Sequence, residues 1–173
     1  RDLSKTGSAN FTVKGALRIG SLHITSAGSG DIDFKAVSGE AFKVEMAGSG
    51  NLTAKGKLAV DKIELNMAGS GGLTATSIEG RSLECSIAGS GSAHLGGSAR
   101  DADYSVAGSG SVRAFDCKAS DVKASLAGSG EIELTATGDL KASAHGSGNI
   151  SYRGKPGSVS KESGGSSTIE QVN

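Results

Sequence analysis

Apolar and polar residues alternate with period two in short stretches on either side of a recurring glycine-rich tetrad. Take the first glycine of each tetrad as position zero. Position −6 then reads Leu22, Phe42, Ile63, Leu83, Ala102, Val122, Leu140, and position −4 reads Ile24, Val44, Leu65, Cys85, Tyr104, Ala124, Ala142. Position −2 reads Ser26, Met46, Met67, Ile87, Val106, Leu126, Ala144, and the intervening columns are polar. After the tetrad, position +4 (Ile32, Leu52, Leu73, Ala93, Val112, Ile132, Ile150) and position +6 (Phe34, Ala54, Ala75, Leu95, Ala114, Leu134, Tyr152) are apolar around a polar +5. Strict alternation of this kind marks half-buried strands. Each unit therefore reads as strand, corner, strand, then a variable connection. No stretch sustains the i, i+3, i+4, i+7 pattern of a helix.

The corner is Ala-Gly-Ser-Gly in six copies and His145-Gly-Ser-Gly in a seventh. Its residues are Gly28, Ser29, Gly30; Gly48, Ser49, Gly50; Gly69, Ser70, Gly71; Gly89, Ser90, Gly91; Gly108, Ser109, Gly110; Gly128, Ser129, Gly130; and Gly146, Ser147, Gly148. Successive first glycines lie 20, 21, 20, 19, 20 and 18 residues apart. A fixed period near 20 marks a repeat protein. Like residues at like positions imply copies stacked directly over one another, about 4.8 Å apart, and the many small core residues suit a narrow coil. The expectation is an all-β, single-domain parallel β-helix (a β-solenoid) of about eight rungs, forming a rod of roughly 40 Å. The pattern does not set its hand; right-handed is the general preference of parallel crossovers. Aligned serines would form a column able to share hydrogen bonds.

The solenoid is expected to span 1–173. A degenerate capping rung occupies 1–20, with Gly7, Phe11 and Val13 fitting the columns; regular rungs fill 21–154, and a capping segment fills 155–173. In that last segment, counting from Gly164 leaves Ile169 one residue out of register.

The 173 residues carry 18 Lys+Arg and 18 Asp+Glu, so no electrostatic footprint for nucleic acid is present. Aromatic residues are only 3%, which leaves few stacking platforms for bases or sugars. No apolar run approaches the ~20 residues of a membrane helix; membrane attachment would come only through a lipid anchor upstream of Arg1.

Candidate chemistry is thin. A nucleophile elbow needs one Gly-x-Ser-x-Gly with a histidine and an acid, whereas seven equivalent serines read as structural. Glycine corners can form anion-binding nests, but in a stacked coil their N–H groups are expected to bond the next rung. The outward −5 column places Glu64, Glu84 and Asp103 on consecutive rungs, and stacked like charges repel. These three residues are the candidates for a calcium site or for an acid/base pair of a carbohydrate-active enzyme. Lys43 and Lys123 bracket them and Arg81 and Arg100 precede their strands, so a neutralised, solvated face is the favoured reading. His23, His94 and His145 occupy different columns. Cys85 is inward and Cys117 falls in a connection, so a buried free Cys85 is the default. No cofactor is expected.

The repeated Ala-Gly-Ser-Gly-x-apolar unit, with Gly148-Asn149-Ile150 inside the stretch from Gly146 to Pro156, resembles the bacterial head GIN domain family, also called auto-transporter adhesins. The resemblance covers essentially the whole chain. It implies a β-helical protein exported to the cell surface, outer membrane or periplasm of Bacteroidetes, often a lipoprotein, and it carries over no catalytic residues. The function expected is a non-enzymatic adhesin or interaction scaffold for a surface glycan or protein. The alternatives are a carbohydrate-active enzyme using the acidic stripe and a structural part of an envelope assembly, with homo-oligomers allowed.

Overall fold

The computed structural model describes residues 2–173. They form thirteen strands and no helix: β1 (Asp2–Thr6), β2 (Phe11–Gly28), β3 (Ile32–Gly48), β4 (Leu52–Ala54), β5 (Leu58–Gly69), β6 (Gly72–Gly89), β7 (Ser92–Gly108), β8 (Ser111–Gly128), β9 (Glu131–Ala136), β10 (Asp139–Gly146), β11 (Asn149–Arg153), β12 (Ser158–Gly165) and β13 (Thr168–Gln171). All belong to one sheet, and every pairing in it is parallel, as between β2 and β3 or β7 and β8. The sheet coils into a parallel β-solenoid of about eight turns.

Register follows the repeat. Gly28 pairs with Gly48, Gly48 with Gly69, Gly69 with Gly89, and so on to Gly146 with Gly165. The columns −6, −4, −2, +4 and +6 point inward and form one continuous core, in which Ile24, Val44, Leu65, Val112 and Ile150 are each 0% exposed.

The corner shows why its glycines recur. Gly48 has φ +125°, a region in which side chains with a Cβ are strained. Gly50 has ordinary φ, but a Cβ there would collide with the carbonyl oxygen of Gly30 on the rung below. The first glycine is thus required by its dihedral and the second by close stacking. Between them, the serine backbone N–H donates to the preceding corner: Ser49 to Gly28 at 3.2 Å, Ser90 to Gly69 at 3.0 Å, Ser129 to Gly108 at 3.0 Å. The serine hydroxyls of the corners make no hydrogen bond among the described residues, so the backbone, not a hydroxyl ladder, ties the corners together.

The variable connection proves to be a third strand-like side with its own inward column: Leu17, Val37, Leu58, Ile78, Gly97 and Cys117 stack in register. Cys117 is therefore core, 0% exposed, rather than part of a surface connection. Each of these six residues lies eleven positions before the next corner glycine. All length variation among these turns is absorbed between +6 and −11, where the ladders shift register, as between Ala75 and Ile78 or His94 and Gly96.

On the rung that ends at Gly108, the inward Tyr104 is the largest fully buried side chain, and the third-side column supplies Gly97 instead of a branched residue. Small residues also lie above and below: Cys85 stacks on Tyr104 from one side and Ala124 from the other. Cores hold near-constant packing density, so a large side chain is matched by small neighbours. At the C-terminal end, Gly165 (φ +75°) occupies the corner and Ile169 stacks on Ile150. Ile169 is therefore in register, and counting from Gly164 was one residue off.

Candidate functional site

The outward −5 column runs in register through His23, Lys43, Glu64, Glu84, Asp103, Lys123 and Lys141. The three carboxylates do not behave alike. Glu64 is paired on both sides: Lys62 binds one oxygen and Lys43 Nζ lies 3.6 Å from the other. The hydrogen-bonded Lys62, with Lys43 beyond it, holds the Glu64 carboxyl below the ordinary glutamate range. Lys43 also contacts Glu45 at 3.0 Å, and His23 Nε2 lies 3.4 Å from the same carboxylate. That hydrogen bond from Lys43 lowers the Glu45 pKa, and the same contact raises that of Lys43. The N-terminal part of the stripe is thus a charge-compensated network.

Glu84 and Asp103 make no ion pair among the described residues. They line a shallow concavity of about 400 Å³ with Asp101, Asp121, Asp139, Lys123 and Lys141. Asp101 pairs in register with Asp121, and the Asp121 carboxylate accepts a bond from the Asp139 backbone N–H at 3.1 Å. This second acidic column, at position −7, was missed because that column is Ser21, Ala41, Lys62 and Ser82 on earlier rungs and turns acidic only from Asp101. Tabulating position −7 as the inward columns were tabulated would have found it. No group of three or more His, Cys, Asp or Glu among the described residues is arranged to hold a metal ion.

The histidines stay apart: His23 faces Asp2 and Glu45, His94 lies 4.0 Å from Asp116, and His145 contacts the Ser143 hydroxyl at 3.4 Å. Cys85 and Cys117 are free thiols, both buried. Burial pushes the Cys85 pKa up to about 12 and raises that of Cys117, which keeps both in the unreactive thiol form. The Tyr104 hydroxyl is buried beside the Cys117 thiol, and burial above all, with that thiol next to it, holds its pKa well above the usual tyrosine value.

A family model matches most of the chain, and solved structures share its fold. The family described as "Putative auto-transporter adhesin, head GIN domain" matches residues 1–59 and 53–156. No curated protein matches the chain. Among solved structures, a "putative lipid binding protein" from Parabacteroides distasonis superposes with TM-score 0.92 at 28% identity, over 99% of this chain and 92% of that one. A "putative adhesin" from Parabacteroides merdae gives TM-score 0.83 at 30% identity, over 88% of this chain and 64% of that one. A second "putative adhesin", from Parabacteroides distasonis, gives 0.69 at 26% identity, over 99% and 63%. The chain spans less than two thirds of the length of these two adhesins.

Proposed function

The chain belongs to the head GIN domain family, and from that premise we propose that it is a non-enzymatic, exported cell-surface protein that acts as an adhesin or interaction scaffold. The observation that carries this reading is the division of labour within each rung. Corners are nearly constant and, on the regular rungs, inward columns stay apolar apart from Ser26, while the outward −5 column changes charge from rung to rung. A rigid rod with variable outward side chains can present a specific surface without any moving part. Binding then rests on the outward columns, with a surface glycan or protein as ligand. The likeness to a protein described as lipid-binding adds lipids to the ligands worth testing. The core is filled by side chains, so a lipid would lie on the surface rather than inside the coil. Arrays of glycans, matrix proteins and lipids, probed with the 173-residue chain, test the proposal. Saturable binding unaffected by chelators supports it, and absence of any binding counts against it.

A second reading has one observation in its favour. The concavity over Glu84 and Asp103 gives the acidic stripe a groove, which a carbohydrate-active enzyme requires. Its walls are strand side chains rather than long loops. Oligosaccharide turnover that Glu84→Gln abolishes would replace the scaffold reading with the enzymatic one.

A further inference from the structure

One side of the coil carries a column of stacked lysines. Lys14, Lys35 and Lys55 each stand seven residues after a corner glycine, next to the +6 residue. The Lys55 backbone N–H donates to the Phe34 carbonyl at 2.8 Å, which keeps Lys55 in register over Lys35. All three lysines are exposed, and they line one concavity of about 520 Å³ with Thr12, Asp33 and Gly56. On the next four turns the same position reads Thr76, Gly96, Phe115 and Thr135, so the column is confined to one stretch. It lies on the flank of the coil, not at its end: β3 is paired by β2 and β4, and β4 by β3 and β6.

Like charges on rungs about 4.8 Å apart repel, and this column is not neutralised as the acidic one is at Glu64. Glu64 has a lysine on either side. Among the three lysines, Lys55 has the Asp33 carboxylate at 3.6 Å, while Lys14 and Lys35 make no ion pair among the described residues. An anion from outside the chain would relieve the repulsion. A single small anion meets only part of the column, whereas a string of anionic groups running parallel to the coil axis meets all of it. A linear sulfated glycan is such a string. Its hydroxyls find partners at the neighbouring +5 position, in the Thr12 hydroxyl and the Asp33 carboxylate. An acidic peptide fits less well, because β3 and β4 are paired on both sides and offer its backbone no open edge.

We propose that this column binds a linear sulfated glycan lying along the coil, with the ammonium groups of Lys14, Lys35 and Lys55 on its sulfates. The proposal rests on the scaffold reading above and gives its ligand a chemical class and a place.

The test is isothermal titration calorimetry with a heparin-derived hexasaccharide and with the same hexasaccharide after desulfation. The sulfated form should bind at least about tenfold more tightly, and its affinity should fall as salt rises. The double variant Lys14→Gln, Lys35→Gln should weaken it about tenfold. The charge-matched double variant Lys123→Gln, Lys141→Gln, in the −5 column, should leave it unchanged. All four positions are exposed, so both variants should keep the wild-type melting curve. Bound hexasaccharide should shield Lys14, Lys35 and Lys55 from acetylation and leave Lys123 and Lys141 reactive. Equal losses in the two variants, equal shielding of the two sets, or tighter binding to phosphatidylglycerol vesicles or to an oligoglutamate peptide overturns the proposal. Should the arrays give saturable binding of another ligand and the hexasaccharide none, this assignment falls and the scaffold reading stands. No binding of any probe removes both.

Discussion

The first and last described rungs both place a lysine in an inward column, but only the last engages it: Lys5 stands at −2, stacked on Ser26 with its amine unpartnered, whereas Lys161 stands at −4. Positions −6, −4 and −2 continue from Leu140, Ala142 and Ala144 into Val159, Lys161 and Ser163. Lys161 lies 4.8 Å over the Tyr152 ring and donates to the Ile169 carbonyl at 3.3 Å. The Ser167 hydroxyl bonds the Ala144 carbonyl and Gln171 the Gly154 carbonyl, both at 2.8 Å. Of these acceptors the Ile169 carbonyl lies on the last strand, β13, where a further rung would pair. At the opposite end −4 and −2 read Leu3 and Lys5, and Phe11 and Val13 at +4 and +6 are partly buried, as Ile169 is at +4 of the last rung. Among the described residues the last rung is in this sense the closed end and the first the open one, since β1 covers only residues 23–27 of β2.

This contrast can be broken by experiment. The largest effect expected is from truncating matched leucines. Leu140→Ala, at a site 1% exposed under β12, should cost about 3 kcal/mol, whereas Leu17→Ala at the open end should cost about 1 kcal/mol. Urea denaturation of the two variants reads this directly, and equal losses would mean that the open end is as well packed as the closed one.

Next come the terminal corners. Gly7 and Gly165 both have positive φ, but a Cβ on Gly7 meets nothing within 4 Å while one on Gly165 meets the Gly146 carbonyl. Gly165→Ala should destabilise by about 2 kcal/mol or more, and Gly7→Ala by about 1 kcal/mol, from dihedral strain alone. Thermal melts distinguish them.

Smaller in stability but clearer in outcome is Lys161→Ile, which gives the closed end an apolar inward residue. Loss of the ammonium–ring contact should cost less than about 1 kcal/mol. Sedimentation should detect new self-association through this end. A strictly monomeric variant would show that an apolar inward column does not by itself make an end adhesive.

The smallest effect expected is on the acid side of pH. Glu64 titrates below its ordinary value of about 4.3 because Lys62 and Lys43 stabilise its charged form. Its contribution to stability is therefore fully present above that value and lost as pH falls through the depressed folded pKa. Hydrogen exchange in β3 and β5 should quicken over that window, and Glu64→Gln should reduce the dependence to the part that Glu45 carries in β3.

The strands flanking each corner were legible because the corner fixes a constant register on both sides, from −6 to +6. The third side was not, because counts were carried forward from the preceding glycine. Leu17, Val37 and Gly97 then fall at +10, +9 and +8. Counted back from the following glycine, all three stand at −11, and Cys117 with them. The acidic stripe was legible as a column, but its division into a paired Glu64 and an unpaired Glu84 and Asp103 was not. That division depends on Lys62, which sits in the neighbouring −7 column and reaches across to Glu64.

The segment between +6 and −11 has a consequence for how such a chain can change over time. Residues can be gained or lost there, as the turns of 19 to 21 residues already demonstrate, while the corners above and below keep their mutual bonds. Each turn is free to drift in length and outward chemistry without renegotiating its neighbours. A lineage built on this coil can therefore explore new surfaces one turn at a time, and a foreign loop spliced in beside Gly56, between β4 and β5, would use the same freedom.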